Sequence, residues 1–250
     1  MKTAIFAHRG ASGYAPENTM PAFQLAYELG AEGIETDVQL TKDGIPVLVH
    51  DEQVKRTTDG RGFIKNLTFE EVRRLDAGSW FSRKFTGTVI PSLEEFLEWA
   101  VDKPLYLNIE LKNNKIDYSN LEAIVYDTVL RFGLQKHCTL STFNEESVKK
   151  IKRIGNSISA ALLTSRAEGN PVTKAAKLGA DALHIKYRLL GSNVMMHADK
   201  QQMPVRVYTV NKKVHMLQCM KLKADGIFTD LPDKALEYKN TYYEEKDGCN

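Results

Sequence analysis

The sequence predicts an α/β fold, a closed (β/α)8 TIM barrel with a small inserted subdomain after the second strand and hairpin. Three observations carry that reading. Short apolar runs alternate with helix-like stretches, the pattern of a parallel sheet. There are eight such runs, the number a closed barrel requires. The chain has 250 residues, a usual size for that fold as one domain.

The elements follow in order. The first strand is "AIFAH" (4–8), which stops at His8-Arg9 before a turn containing Gly10 and Gly13. A helix over 19–29 has Asn18-Thr19 at its N-cap and Gly30 at its C-cap. The second strand, "GIETDV" (33–38), runs into "QLTKDGIPVLVHD" (39–51), where Asp43-Gly44 between apolar runs predicts a hairpin. Residues from about 52 to 90 are rich in charge and turns, with a short helix near 68–75, and read as an insertion over the face where barrel active sites lie. Ser92 caps a helix over 92–101. Strands at 105–111, 138–143, 158–163, 182–186, 205–210 and 226–230 complete the set. Helices over 119–132, 144–153, 171–178, 191–202, 211–222 and 232–239 follow them, with Gly133 and Gly179 at C-caps. One catalytic domain therefore spans 1–240, and 241–250 reads as a polar, partly disordered tail.

Composition excludes several classes. The formal net charge is +2, so no global field favours nucleic acid or a membrane surface. No window approaches the roughly 18 apolar residues of a membrane span. Cys138, Cys219 and Cys249 form neither metal spacing nor a disulfide framework, which points to a reducing compartment. With no signal-peptide pattern at the N-terminus, the expected location is cytoplasmic.

The chemistry lies on the polar faces of two strands. Glu35 and Asp37 share one face of the second strand, and Asn108, Glu110 and Lys112 share one face of the third. Their other faces are apolar and belong against helices, so the polar faces point into the barrel. Three inward carboxylates repel and are costly to desolvate, and a hard cation with oxygen ligands, Mg²⁺ or Ca²⁺, relieves both. If Asp43-Gly44 centres the hairpin, paired residues sum to 87 and Asp37 faces His50, within one residue of register. His8 and Arg9 end the neighbouring strand. They can serve one site only if the strand ends there, as Gly10 and Gly13 allow. Two histidines near a metal, with Arg9 and Lys112 as fixed cations, describe acid–base chemistry on an anion: metal-assisted cleavage of a phosphate ester.

The stretches "HRGASGYAPENT" (8–19), "GIETDVQLTKDGIPVLVHD" (33–51), "LDAGSWF" (75–81), "IPSLEEFLEW" (90–99), "NIELK" (108–112), "STF" (141–143), "VYTVN" (207–211) and "DGIFTD" (225–230) together resemble the glycerophosphodiester phosphodiesterase family of bacterial type. The resemblance implies hydrolysis of glycerophosphodiesters, such as glycerophosphocholine or glycerophosphoethanolamine, to glycerol 3-phosphate and an alcohol. It implies one divalent cation, Mg²⁺ or Ca²⁺, on Glu35, Asp37 and Glu110, an acid–base pair of His8 and His50, and phosphate held by Arg9 and Lys112. His8 as base and His50 as acid is the favoured division for the first step, with water or the substrate's own glycerol hydroxyl as nucleophile.

Further residues are candidates for the pocket. Phe143, Tyr208 and Trp80 lie at strand ends or in the insertion, where aromatics either line a pocket or pack. Lys186 shares the inward parity of its strand with His184, as Tyr208 does with Arg206, and either supports the phosphate or forms an interior salt bridge. Asn18 lies near the site in the resembled family and also suits a helix cap. Asp230 and Asn211 read as structural rim residues. Two other functions fit the sequence less well. A lysophospholipase D-like enzyme needs an apolar entrance for an acyl chain, and the insertion offers only Trp80, Phe81 and Phe85. An inactive phosphodiester-binding relative is expected to lack a member of the polar set, and all seven are present.

Overall fold

The computed structural model describes residues 2–166 and 169–247, so Cys249 and the last three positions of the expected tail lie outside the described residues. Nine strands form one sheet: β1 (Ala4–His8), β2 (Gly33–Leu40), β3 (Pro46–Leu48), β4 (Tyr106–Leu111), β5 (Cys138–Thr142), β6 (Ser159–Thr164), β7 (Ala182–Lys186), β8 (Val205–Tyr208) and β9 (Gly226–Thr229). All but β3 pair in parallel, and β1 pairs with both β2 and β9, which closes an eight-stranded barrel. The outer ring of helices comprises α1 (Met20–Glu28), α3 (Leu93–Ala100), α4 (Leu121–Arg131), α5 (Glu145–Ile154), α6 (Pro171–Lys177), α7 (Ser192–Lys200), α8 (Lys213–Lys221) and α9 (Pro232–Asp247), while α2 (Phe69–Arg73) belongs to the insertion.

Pleat alternation divides the strand residues between two cores. Ile34 and Val38 of β2 and Leu107, Ile109 and Leu111 of β4 pack outward against helices, where Phe23 of α1 meets Phe96 of α3 at 4.5 Å between ring centres. Phe6, Tyr106, Phe228 and Arg206 face inward and fill the barrel's floor, with the Arg206 guanidinium 4.9 Å from the Phe6 ring centre. Gly33 makes room for this layer. A Cβ there would stand 2.5 Å from both the Phe6 ring and the Tyr106 carbonyl.

The insertion carries a small core of its own. Val54, Ile64, Val72, Ala77 and Ile90 cluster with Val47 and Val49 of the hairpin. Thr68 and Glu71 close a capping box at the start of α2, as Ser92 and Glu95 do for α3.

Three expectations are corrected. The hairpin pairs Val38 with Leu48 and Leu40 with Pro46, so paired residues sum to 86 rather than 87, and the amide of Val49, not His50, meets the Asp37 carbonyl at 2.9 Å. Asn18 is not a cap. Thr19 holds the N-cap position of α1 without a capping bond, its hydroxyl donating instead to the Pro16 carbonyl. The last helix does not stop at 239 but runs to Asp247, because Tyr238, Tyr242 and Tyr243 give it an apolar side against the core and the Tyr243 hydroxyl bonds Thr3.

Gly33→Ala is expected to cost about 1–3 kcal/mol by overpacking. At about 2–4 °C per kcal/mol for a chain of this size, a thermal melt reads this as a clear fall in Tm. An unchanged melt would contradict the tight Phe6–Tyr106 floor.

Candidate active site

The register of β1, β2 and β4 gathers the charged residues. His8 lies beside Glu35, Glu35 beside Asn108, and Asp37 beside Glu110. Strand β1 ends at His8, and Arg9 takes a left-handed conformation with φ 57°. That breaks the pleat and turns both side chains to the same mouth. Gly10, at φ 79°, completes the turn where a Cβ would lie 2.6 Å from the backbone of Ala22.

Glu35, Asp37 and Glu110 are buried, and each offers a carboxylate oxygen within 4.8 Å of the others. Two oxygens on one Ca²⁺, each about 2.3–2.6 Å from it, stand no further apart than about 5 Å. Asp37 Oδ1 is also buried without a hydrogen-bond partner among the described residues. An all-oxygen donor set with one carboxylate oxygen left over fits a hard divalent cation.

Two fixed cations oppose these carboxylates. Arg9 donates its backbone N–H to Glu35 Oε2 at 2.9 Å, places Nε 3.2 Å from Asp37 Oδ2, and donates Nη1 to Glu17 Oε1 at 2.8 Å. Lys112 Nζ donates to Glu110 Oε1 at 2.7 Å and stands 3.5 Å from Asp37 Oδ1. Burial pushes the Asp37 carboxyl upward, but Arg9 and Lys112 outweigh it and hold Asp37 well below the usual range. Burial and the negative Asp37 push Glu35 well above the usual carboxylate range. Asn18 Nδ2 donates to Asp37 Oδ2 at 2.9 Å while its Oδ1 accepts from the Thr36 hydroxyl at 2.8 Å.

Each histidine is backed by a carboxylate. His8 Nδ1 bonds Asp230 Oδ1 at 2.7 Å. Asp230 accepts from Ser12 Oγ at 3.1 Å and Asn211 Nδ2 at 2.5 Å, and donates its own N–H to Asn211 Oδ1 at 2.9 Å. Burial lowers the His8 pKa, yet the Asp230 bond and the charge of Glu35 raise it overall. His50 Nδ1 bonds Asp51 Oδ1 at 2.6 Å. Burial raises the Asp51 carboxyl, but bonds from Arg56 and His50 bring it down to about 2. Arg56 Nε donates to Asp51 Oδ2 at 2.5 Å, and its two terminal nitrogens grip Glu17 at 2.8 Å each. Buried Gln39 donates Nε2 to the carbonyls of Val49, His50 and Asp51 at 3.1, 3.1 and 2.7 Å, and so holds the backbone that carries His50.

Sequence reasoning missed these supporting residues. Gln39 shares the parity of Glu35 and Asp37, and Asp230 the inward parity of Gly226 and Phe228, so a signal existed for both. The reading of Asp230 and Asn211 as rim residues is corrected by their bonds at His8. Arg56 carried no signal, because only the folded insertion brings it to Glu17. Among the expected pocket residues, Tyr208 borders a cavity with His8, Glu35 and Glu110, and Phe143 meets its ring edge-on at 6.1 Å. Lys186 lies beside Tyr208 but is exposed at the end of β7, so the interior salt bridge is excluded. Trp80 is exposed in the insertion. Its indole N–H bonds the Ala77 carbonyl at 2.8 Å and its ring packs on Phe81, which ties it to the insertion rather than to the charged cluster.

Comparison with known proteins adds a second line of evidence. The profile of the glycerophosphoryl diester phosphodiesterase family matches residues 8–234. The glycerophosphodiester phosphodiesterase of Caldanaerobacter subterraneus subsp. tengcongensis is 39% identical over 233 residues, covering 93% of this chain and 96% of that protein. That of Bacillus altitudinis is 38% identical over 242 residues, covering 95% and 98%. A phosphodiesterase from Oleispira antarctica, solved in complex with the product sn-glycerol-3-phosphate, is similar with a TM-score of 0.86 at 29% identity, covering 96% of this chain and 97% of that one. The chain belongs to the glycerophosphoryl diester phosphodiesterase family.

Proposed function

We propose that this chain hydrolyses glycerophosphodiesters, such as glycerophosphocholine and glycerophosphoethanolamine, to sn-glycerol 3-phosphate and an alcohol, with one Mg²⁺ or Ca²⁺ held by Glu35, Asp37 and Glu110. The observation that carries this reading is the buried oxygen triad opposed by two fixed cations and flanked by two carboxylate-backed histidines. A bound divalent ion supplies charge stabilisation for the developing negative phosphoryl oxygens.

The chain's own groups do the rest. Arg9 and Lys112 hold the phosphate by charge, Arg9 through a planar fork and Lys112 as a point charge. With Asp230 on Nδ1, His8 presents Nε2 to the site and takes the proton of the nucleophile, either a water or the glycerol hydroxyl, the latter giving a cyclic phosphate that water then opens to glycerol 3-phosphate. With Asp51 on Nδ1, His50 presents Nε2 likewise and gives a proton to the departing alkoxide. General acid–base steps of this kind contribute about 10²–10⁴-fold each.

Release of glycerol 3-phosphate from glycerophosphocholine is expected to stop when a chelator removes divalent ions and to return with Mg²⁺ or Ca²⁺. The same addition is expected to raise the Tm, because ligands that bind only the folded chain stabilise it. Release that persists undiminished in chelator would overturn the metal reading. No release from several glycerophosphodiesters by a folded, metal-loaded chain would overturn the substrate. His8→Ala and Glu35→Gln are each expected to lower turnover by about 10²-fold or more. Asp230→Asn is expected to lower kcat by about 10–10³-fold through loss of His8 orientation, with the melt close to wild type. Gln39→Leu leaves three carbonyls without their donor, so a stability loss of about 1–3 kcal/mol should accompany a fall in kcat. Full turnover in that variant would show that the 49–51 backbone does not position His50.

A further inference from the structure

Lys112 stands where the sheet ladder of β4 gives out. The last parallel pairs of that strand are Leu111 with Val38 and Glu110 with Ser141, and the Lys112 N–H then reaches the Val38 carbonyl at 3.1 Å. The ammonium sits at the end of a flexible four-carbon stem. Its ion pairs with Glu110 and Asp37 aim the charged end. They do not hold the backbone from which the stem grows.

The next residue supplies that hold. Asn113 is buried, as are Glu122, Thr142 and Ser147 around it. Its Nδ2 donates to Ser147 Oγ at 2.5 Å and to Glu122 Oε1 at 3.1 Å. Its Oδ1 accepts from Thr142 Oγ1 at 3.0 Å, and its backbone carbonyl accepts from Asn144 Nδ2 at 3.3 Å. The direction of each bond is determined. The Thr142 hydroxyl already accepts from the Asn144 N–H at 3.0 Å, so it gives its proton to Asn113. The Ser147 hydroxyl donates to Glu122 Oε1, so its oxygen accepts from Asn113. Lys150 Nζ, 3.5 Å from Glu122 Oε1, balances that carboxylate. One residue after Lys112, the chain is therefore tied to the end of β5, to the first turn of α4 and to the start of α5. A network in which every member is satisfied is rigid.

We propose that Asn113, oriented by the buried carboxylate of Glu122, is the positioning residue of Lys112, replacing the missing ladder at the end of β4 and fixing where the ammonium meets the phosphate. The inference rests on the reading of Lys112 as a phosphate-holding cation. It adds a second group of residues, on the helix side of the barrel wall, that acts on the ligand through Lys112 alone.

A double-mutant cycle tests this. Binding of sn-glycerol 3-phosphate to the Mg²⁺-supplemented chain is measured by titration calorimetry for wild type, Lys112→Met, Asn113→Ala and the double variant. Lys112→Met is expected to weaken binding by about 10–100-fold and Asn113→Ala by about 3–10-fold. In the Lys112→Met background, Asn113→Ala is expected to add less than about twofold, because a residue that acts through Lys112 has nothing left to act on. The same loss in both backgrounds overturns the positioning role and makes Asn113 a general support of the fold. An unchanged affinity in Asn113→Ala overturns it too. Wild type that does not bind, or Lys112→Met that binds as tightly as wild type, overturns the phosphate site itself and the inference with it. Ser147→Ala keeps Asn113 intact and removes a single acceptor, so it covers the case in which Asn113→Ala does not fold; it is expected to weaken binding by about 2–5-fold in wild type and not in Lys112→Met, and an equal loss in both overturns the proposal. Glu122→Gln retains an acceptor oxygen and is expected to bind within about twofold of wild type, whereas Glu122→Leu is expected to match Asn113→Ala. Equal affinity of those two variants overturns the part given to Glu122.

Discussion

Three carboxylates are forced into one buried space, and much of the active-site structure answers that constraint. Parallel pairing of β2 with β4 sets Asp37 against Glu110, and the pleat adds Glu35 on the same side. No rotamer choice can send all three to solvent, because the surrounding wall is barrel. Arg9 and Lys112 bring two positive charges against three negative ones. With all three carboxylates ionised, a divalent ion would turn that net charge of minus one into plus one, and a phosphodiester carries one negative charge. The left-handed Arg9 follows from the same need. A regular strand would send it outward, away from Asp37, so β1 stops at His8 and Gly10 admits the turn.

Much of this is legible in the sequence alone, because pleat alternation is a local rule. Glu35 with Asp37, and Glu110 with Lys112, declare their shared face by spacing alone. The eight barrel strands begin and end within about two residues of expectation for the same reason: apolar runs and turn residues are local signals. What stayed hidden depends on distant pairing. Continuing the β1–β9 register sets His8 opposite Asp230; barrel closure implies that the first and last strands meet, but no local pattern fixes which of their residues face each other. Asn18 reads as a cap because caps look local, yet its amide is bonded to Asp37 instead. The hairpin turn is legible, but its register lies one residue from the centred pairing, since Asp43-Gly44 locates a turn more sharply than it fixes which residues pair. The final helix extends beyond its polar reading because its tyrosines alternate with charge and look soluble in isolation.

The two histidines have the same partner chemistry from different parts of the fold. Asp230 stands at the end of the barrel-closing strand, tied by Ser12 and Asn211, so barrel closure itself orients His8. Asp51 belongs to the start of the insertion and is fixed by Arg56. These two parts need a common reference, because the acid–base pair proposed above requires the two rings to keep their spacing. A line of alternating charge supplies it: His50, Asp51, Arg56, Glu17 and Arg9 are each bonded to the next. Arg9 at the end of that line also touches Asp37, so the insertion is locked to the triad through ion pairs. Exposed pairs are individually weak, but here Glu17 is held from two sides and Arg56 grips two carboxylates, which makes the chain a network rather than a set of isolated pairs. Gln39 gives the same segment a second, uncharged anchor that salt does not screen. The position of His50 is thus set twice, once by charge and once by backbone hydrogen bonds, whereas His8 needs only the barrel.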